Sequence, residues 1–422
     1  MIRGRPRDTS NPFPMASPVK PETQSSMANY SRREFCREAG LGILGAAIGG
    51  PGFASPALDV AAIDRSRILA AAERYRKELP VTITAVTSSR SGGGRHDYFS
   101  EADYYWPDPK NPSGPYIQRD GISNPSNFLD HRRLLLRFSV QAPAWAAAWR
   151  ITAQRAYAER AAAHFYAWFI NPSTRMNPNL QYAQAIRGTA TGARFGVIDT
   201  IHLLEVVRAI EVVADSRVLA NSELDEIKNW FADYLQWMTS SHFGIEEMES
   251  TNNHGTCWVM QVAAFALFTG NKDLAKYARK RFQSVLVPGQ MAADGSFPQE
   301  LMRTKPYGYS LFNLEAMAAI CRILSTPQDN LWTFRLPDGR SIQRALAFMA
   351  PFIRSKKSWP YPADVMYADA WPMRQSALLF AGLALGRKDY IDLWKTLPAD
   401  SEVEEVIRNF FIRQPILWMS SV

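Results

Sequence analysis

The stretch STNNHGTCWVMQVAAFALFT, residues 250–269, turns from a polar loop into an apolar helix with almost no transition. Asn252 has the short acceptor side chain of an N-cap, and Gly255 and Thr256 suit the first turn behind it. CWVMQVAAFALF then continues apolar on every face, the pattern of a helix buried on all sides. A helix interior has little use for asparagine and histidine, but at a helix start they meet free backbone N–H groups and the positive end of the macrodipole. Asn253 and His254 therefore stand where an anion could be held. A simple cap with a buried, hydrogen-bonded histidine accounts for the same residues, and the stretch alone does not choose between the two.

Working outward, the same helical period recurs near residues 62–78, 129–148, 152–170, 197–214, 222–239, 272–286, 310–324, 341–354, 373–386 and 401–413. Convincing strand patterns are scarce, and VTITAV at 81–86 is the best of them. Successive helices joined by alternating short and long loops predict an all-α chain of paired hairpins. The expected architecture is an incomplete (α/α) toroid or barrel with long functional loops; a generic helical bundle is the plainer alternative. No linker divides the chain after residue 60, so residues 58–422 read as a single domain.

Composition is that of a globular protein: 46% of the 422 residues are apolar and 21% charged. The formal net charge is +8, and residues 1–57 hold seven Lys/Arg against four Asp/Glu, which leaves +5 on the remainder. That excess favours an acidic partner. No zinc-finger, RNA-binding or basic-helix signature supports nucleic acid. Arg32 and Arg33 precede a short apolar run, Ala39 to Ile48, and then the small residues of PGFASPA. This pattern resembles a twin-arginine export signal cleaved near Ala54–Ala57, with Met27 as the start, and predicts a periplasmic or secreted protein with no stable membrane anchor. After such cleavage Cys257 and Cys321 remain, with no metal-ligand spacing; they read as two buried thiols or one disulfide.

Function is expected in the long non-helical stretches. Residues 90–125 are rich in aromatics, including Tyr104, Tyr105, Trp106 and Tyr116, whose flat faces and polar tips suit a sugar ring or simply fasten the loop to the core. Residues 171–196 carry Arg175, Asn179, Gln184, Arg187 and Arg194 with no carboxylate among them, a composition that attracts an anion. In DGSFPQELMRTKPYGYSLFNLEA, residues 294–316, Pro306 and Gly308 predict a loop that brings Arg303 to Tyr309, with Ser310 capping the next helix. An arginine beside a phenol stabilises phenolate and lowers its pKa, which a tyrosine general base requires.

The stretches SEADYYWPDPKNPSGPYIQRDG (100–121), TRMNPNLQYAQAIRGTATG (174–192), NNHGT (252–256) and RTKPYGYSLFNLEA (303–316) together resemble the alginate lyase-like polysaccharide lyases, whose fold is an incomplete α/α toroid. The resemblance spans most of residues 60–400. It implies Asn253 and His254 as a carboxylate-neutralising pair, Arg303 as their arginine and Tyr309 as the catalytic tyrosine. It departs at Gly308, where the family often has His, and at Arg187, where Pro is expected. The implied reaction is β-elimination on a 4-linked polyuronate, with polymannuronate preferred and glucuronan as the alternative, and with neither metal nor cofactor. Either Tyr309 or His254 could take the C5 proton. Two other classes compete. A toroidal glycoside hydrolase needs paired carboxylates, for which Glu101, Asp103 and Asp108 are candidates, while Glu246, Glu247 and Glu249 read as solvated or supporting acids. A non-catalytic polyuronate-binding protein would keep the aromatics and arginines but has no need of Tyr309 beside Arg303.

Overall fold

The computed structural model describes residues 58–419. The proposed export segment lies outside them. Within them run fifteen α-helices: α1 Val60–Arg74, α2 Asp130–Thr152, α3 Arg155–Phe165, α4 Leu203–Ala214, α5 Asn221–Ser240, α6 His242–Met248, α7 Asn253–Thr269, α8 Lys272–Arg281, α9 Val287–Gln290, α10 Pro298–Leu301, α11 Pro306–Leu324, α12 Ile342–Arg354, α13 Ser376–Leu385, α14 Lys388–Thr396 and α15 Glu404–Asn409.

Their packing has two layers. An inner arc passes from α2 to α4, α7, α11 and α13, each helix touching the next. Outside it, α1 and α3 lie on α2, α5 and α8 on α7, α12 on α11, and α14 on α13. This is the incomplete α/α toroid. The two layers follow from composition. Along α7 the residues from Gly255 to Ala266 are buried without a break, because AAF and WVM segments present apolar atoms on every side. Outer α8, KDLAKYARKR, buries only Ala275, Ala278 and Arg281. Trp258, Phe265 and Trp145 are fully buried, and a phenylalanine buried to that degree contributes about 2 kcal/mol by removing apolar surface from water. Cys257 and Cys321 are buried free thiols, lying on two inner helices. No described helix is long and apolar enough to cross a membrane.

Four short strands fasten the long loops. β1 Phe99–Glu101 pairs in parallel with β4 Tyr182–Ala185, and β2 Tyr105–Trp106 pairs antiparallel with β3 Ile117–Gln118. The first pairing ties the aromatic loop to the arginine-rich loop. VTITAV does not form the expected strand; Ile83–Ala85 is a single 3-10 turn with Thr82 as its cap. The expected loop at 304–309 is also corrected. Pro306 occupies the first turn of α11, where its missing N–H costs nothing, so Tyr309 is helical and Ser310 lies buried inside the helix.

Candidate active site

The starts of α7 and α11 open onto one cavity of about 230 Å³. Its lining includes Asn253, His254, Arg303 and Tyr309, together with Tyr104, Tyr105, Gln184 and Arg194. Asn252 caps α7 as expected, its side chain accepting from His254 N at 3.2 Å. Gly255 is required by close approach: a Cβ there would lie 2.1 Å from the Ser250 carbonyl oxygen. The link between α6 and α7 is thereby drawn tight enough to seat Asn253 and His254 at the cavity wall.

Buried acids that sequence spacing did not reveal hold the pair from behind. Glu300 accepts from both Asn253 N and Asn253 Nδ2 at 2.6 Å. Its carboxyl is pushed above the usual range by burial, partly offset by those bonds and by Arg303 and His254. Glu247, read from sequence among the solvated or supporting acids, is fully buried and lies 2.5 Å from His254 Nδ1. Glu246 and Glu249 are exposed.

Arg303 and Tyr309 do meet. The guanidinium lies over the ring, 4.4 Å from its centroid, a cation–π contact from the last loop residues before α11. Asp120 clamps Arg303 Nε at 3.0 Å and Nη2 at 2.6 Å. Burial works to raise the Asp120 carboxyl, but those bonds win and hold it below the usual range. The expected lowering of the phenol is corrected: burial raises Tyr309 well above the ordinary tyrosine value, and Arg303 offsets only part of that. Tyr309 Oη donates to Tyr104 Oη at 3.2 Å, and Arg408 Nη2 donates to the same Tyr104 oxygen at 3.3 Å.

The loops contribute unequally. Tyr105 stacks on Phe195, with centroids 6.2 Å apart. Gln184 has a left-handed backbone, φ 50°, that only local constraint sustains: Ser100 Oγ accepts from its N–H at 2.9 Å and Asp199 Oδ1 from its Nε2 at 2.8 Å. Trp106, Arg175, Asn179 and Arg187 do not line the cavity. Trp106 donates to Ile122 O, and Arg119 covers its ring at 5.3 Å. Arg175 is exposed, and Asn179 spends its side-chain oxygen on Gln181 N. Arg187 is bound to Glu101 at 2.7 and 3.1 Å, so the loop's apparent excess of free cations is reduced by partners from outside it. Arg194 likewise faces Glu247 at 3.3 Å.

The acids weighed for hydrolysis are not poised as a pair. Glu101, clamped by Arg187 and Arg90 against the effect of burial, is held at about 2. Asp103 lines the cavity but is bound by Arg132 at 2.6 Å and by Arg408. Asp108 accepts from Lys110 N in an exposed turn. A general acid must keep its proton near neutral pH, which Glu101 does not.

The profile of the alginate lyase family matches residues 82–359. The crystal structure of an alginate lyase from Bacteroides ovatus is 30% identical, with a TM-score of 0.75 over 85% of this chain and 94% of its own. A variant of alginate lyase A1-III complexed with tetrasaccharide, the enzyme of Sphingomonas species A1, is 13% identical with a TM-score of 0.50, over 85% and 94% of the two chains; that likeness concerns the fold alone. No curated protein matches significantly.

Proposed function

The chain belongs to the alginate lyase family, and from that membership we propose that it cleaves a 4-linked polyuronate by β-elimination, polymannuronate before glucuronan, using the residues gathered at the starts of α7 and α11. The observation that carries this reading is the presence of Arg303 over Tyr309 in the same cavity wall as Asn253 and His254.

The chemistry asks for two things. The C5 proton of a uronate is alpha to a carboxylate, so its removal adds charge to a group already anionic. Preorganised donors must bind that group more tightly as it becomes enediolate-like. Asn253 Nδ2 has a second N–H beyond the one given to Glu300, and the start of α7 adds its dipole. The second requirement is a proton carrier. In a β-linked mannuronate or glucuronate the C5 proton and the C4 oxygen lie on one ring face. Tyr309, once it has released its own phenolic proton to solvent, can therefore take the C5 proton as phenolate and pass it to the leaving oxygen, which restores the phenolate. A hydroxyl hydrogen rotates freely, so once Tyr309 has lost its proton the Tyr104 hydroxyl can turn to donate to it, with Arg408 behind. The twin-arginine stretch leads us to propose further that the enzyme meets its polymer in the periplasm or outside the cell.

The test is the ultraviolet absorbance of the unsaturated uronate, followed on polymannuronate, polyguluronate and glucuronan with wild type and Tyr309→Phe. Absorbance growing with wild type on one polymer and lost in the variant supports the reading and names the substrate. Silence on all three, with reducing ends still released, overturns it.

A further inference from the structure

Glu247 is an acidic side chain with no access to water, at the end of α6. A buried carboxylate must have its oxygens met, and Arg194 and Ser250 donate to one of the two. Oε2 faces Arg194 Nη1 and Ser250 Oγ, both at 3.3 Å, and Oε1 faces His254 Nδ1 at 2.5 Å. Two bare acceptors do not approach to 2.5 Å, and Arg194 on the second oxygen favours the ionised carboxylate. Nδ1 therefore carries a hydrogen and donates it.

We propose that Glu247 is a positioning residue which holds His254 in its Nδ1–H form and turns Nε2 to the cavity as the working nitrogen. This rests on the reading that His254 acts on the uronate. The consequence is specific. With the Nδ1 hydrogen fixed, Nε2 is the atom that accepts the C5 proton, or donates to the carboxylate when the ring is charged. The ring cannot turn over to present its other nitrogen without taking the Nδ1 hydrogen away from Glu247 Oε1. Arg194 sets the far side of the same carboxylate, which accounts for an arginine that lines the cavity while spending a guanidinium nitrogen away from it.

The tautomer is read directly from imidazole nitrogen-15 shifts of histidine-labelled protein, with the His254 signals identified by their loss in His254→Gln. We expect a protonated Nδ1 in wild type, and Nε2 as the nitrogen whose shift responds to added mannuronate oligomer. In Glu247→Ala the pattern should relax to the mixture of a free imidazole, with kcat down about ten- to a hundredfold and KM nearly unchanged. Glu247→Gln, which still offers an acceptor, should recover part of both. A bare Nδ1 in wild type overturns the proposal. So does a variant whose rate falls while the tautomer stays put, since the acid would then serve the fold alone. Were both variants to misfold, the wild-type shifts would still decide. A wild type inactive on every polyuronate counts against the lyase reading instead, and leaves the tautomer measurement standing.

Discussion

Asp120 grips Arg303 with both carboxylate oxygens, at 3.0 and 2.6 Å, and the same carboxylate accepts from Thr304 N at 3.2 Å. The residue after it, Gly121, has φ +75°, and a Cβ there would lie 2.4 Å from Thr304 Oγ1. The aromatic loop thus reaches across to fix the guanidinium that lies over Tyr309. Asp120→Asn keeps the shape and removes the charge. Initial rates should fall about ten- to a hundredfold, the range expected when a reacting group loses its alignment, with the melting temperature little changed. A rate within about twofold of wild type would show that other contacts suffice.

Burial holds Tyr309 as a neutral phenol. If Tyr309 is the base, kcat/KM should climb with pH through neutrality and on into the alkaline range, because the reactive phenolate grows in proportion. A base at His254 would instead give a plateau once the imidazole is neutral. Tyr309→Phe should lose about 10²–10⁴ in kcat in either case, so the pH profile, rather than the mutant, separates the two roles.

Gly255→Ala should damage both activity and fold. Its new methyl meets a backbone oxygen at 2.1 Å, which cannot rotate aside as a side chain would. Overpacking of this kind costs about 1–3 kcal/mol, readable as a lowered denaturant midpoint, and should pull Asn253 and His254 off the cavity wall. Full activity in this variant would mean that the α6–α7 link is looser than its geometry indicates.

Two carboxyls give stability opposite pH slopes. Glu101, held at about 2 against an ordinary 4.5, stabilises the fold fully above the ordinary value, and that contribution is lost as pH falls toward 2. Glu315 is raised by burial to about 7 despite accepting from Ser376 and Ala377 at the start of α13. Its contribution is whole below the ordinary 4.5 and is lost as pH rises through 7. Melting temperature should therefore decline on both flanks. Glu315→Gln should flatten the decline on the neutral side and leave the acid side as it was.

What could be read from sequence was local. The Asn252 cap and the apolar run of α7 are set by neighbours a few positions away, and both are found where the pattern predicted them. The aromatics and arginines announced a site, but not which of them faced it. Arg187 looked free because Glu101 stands 86 positions away, and Arg303 looked free because Asp120 stands 183 positions away. Glu300, 47 positions from Asn253, left no periodic trace. Pro306 was legible as a boundary yet misread in sense, since a proline that ends one helix and a proline that begins the next carry the same local signal.

The inner helices α7 and α11 carry Asn253, His254 and Tyr309, whereas Tyr104, Tyr105 and Gln184 arrive on loops pinned by two-stranded pairings. On the proposed reading, three of the groups that act on the uronate are rooted in the core, while the loops lay further contacts around them. A change confined to the loops would then alter what surrounds the sugar without moving Asn253, His254 or Tyr309.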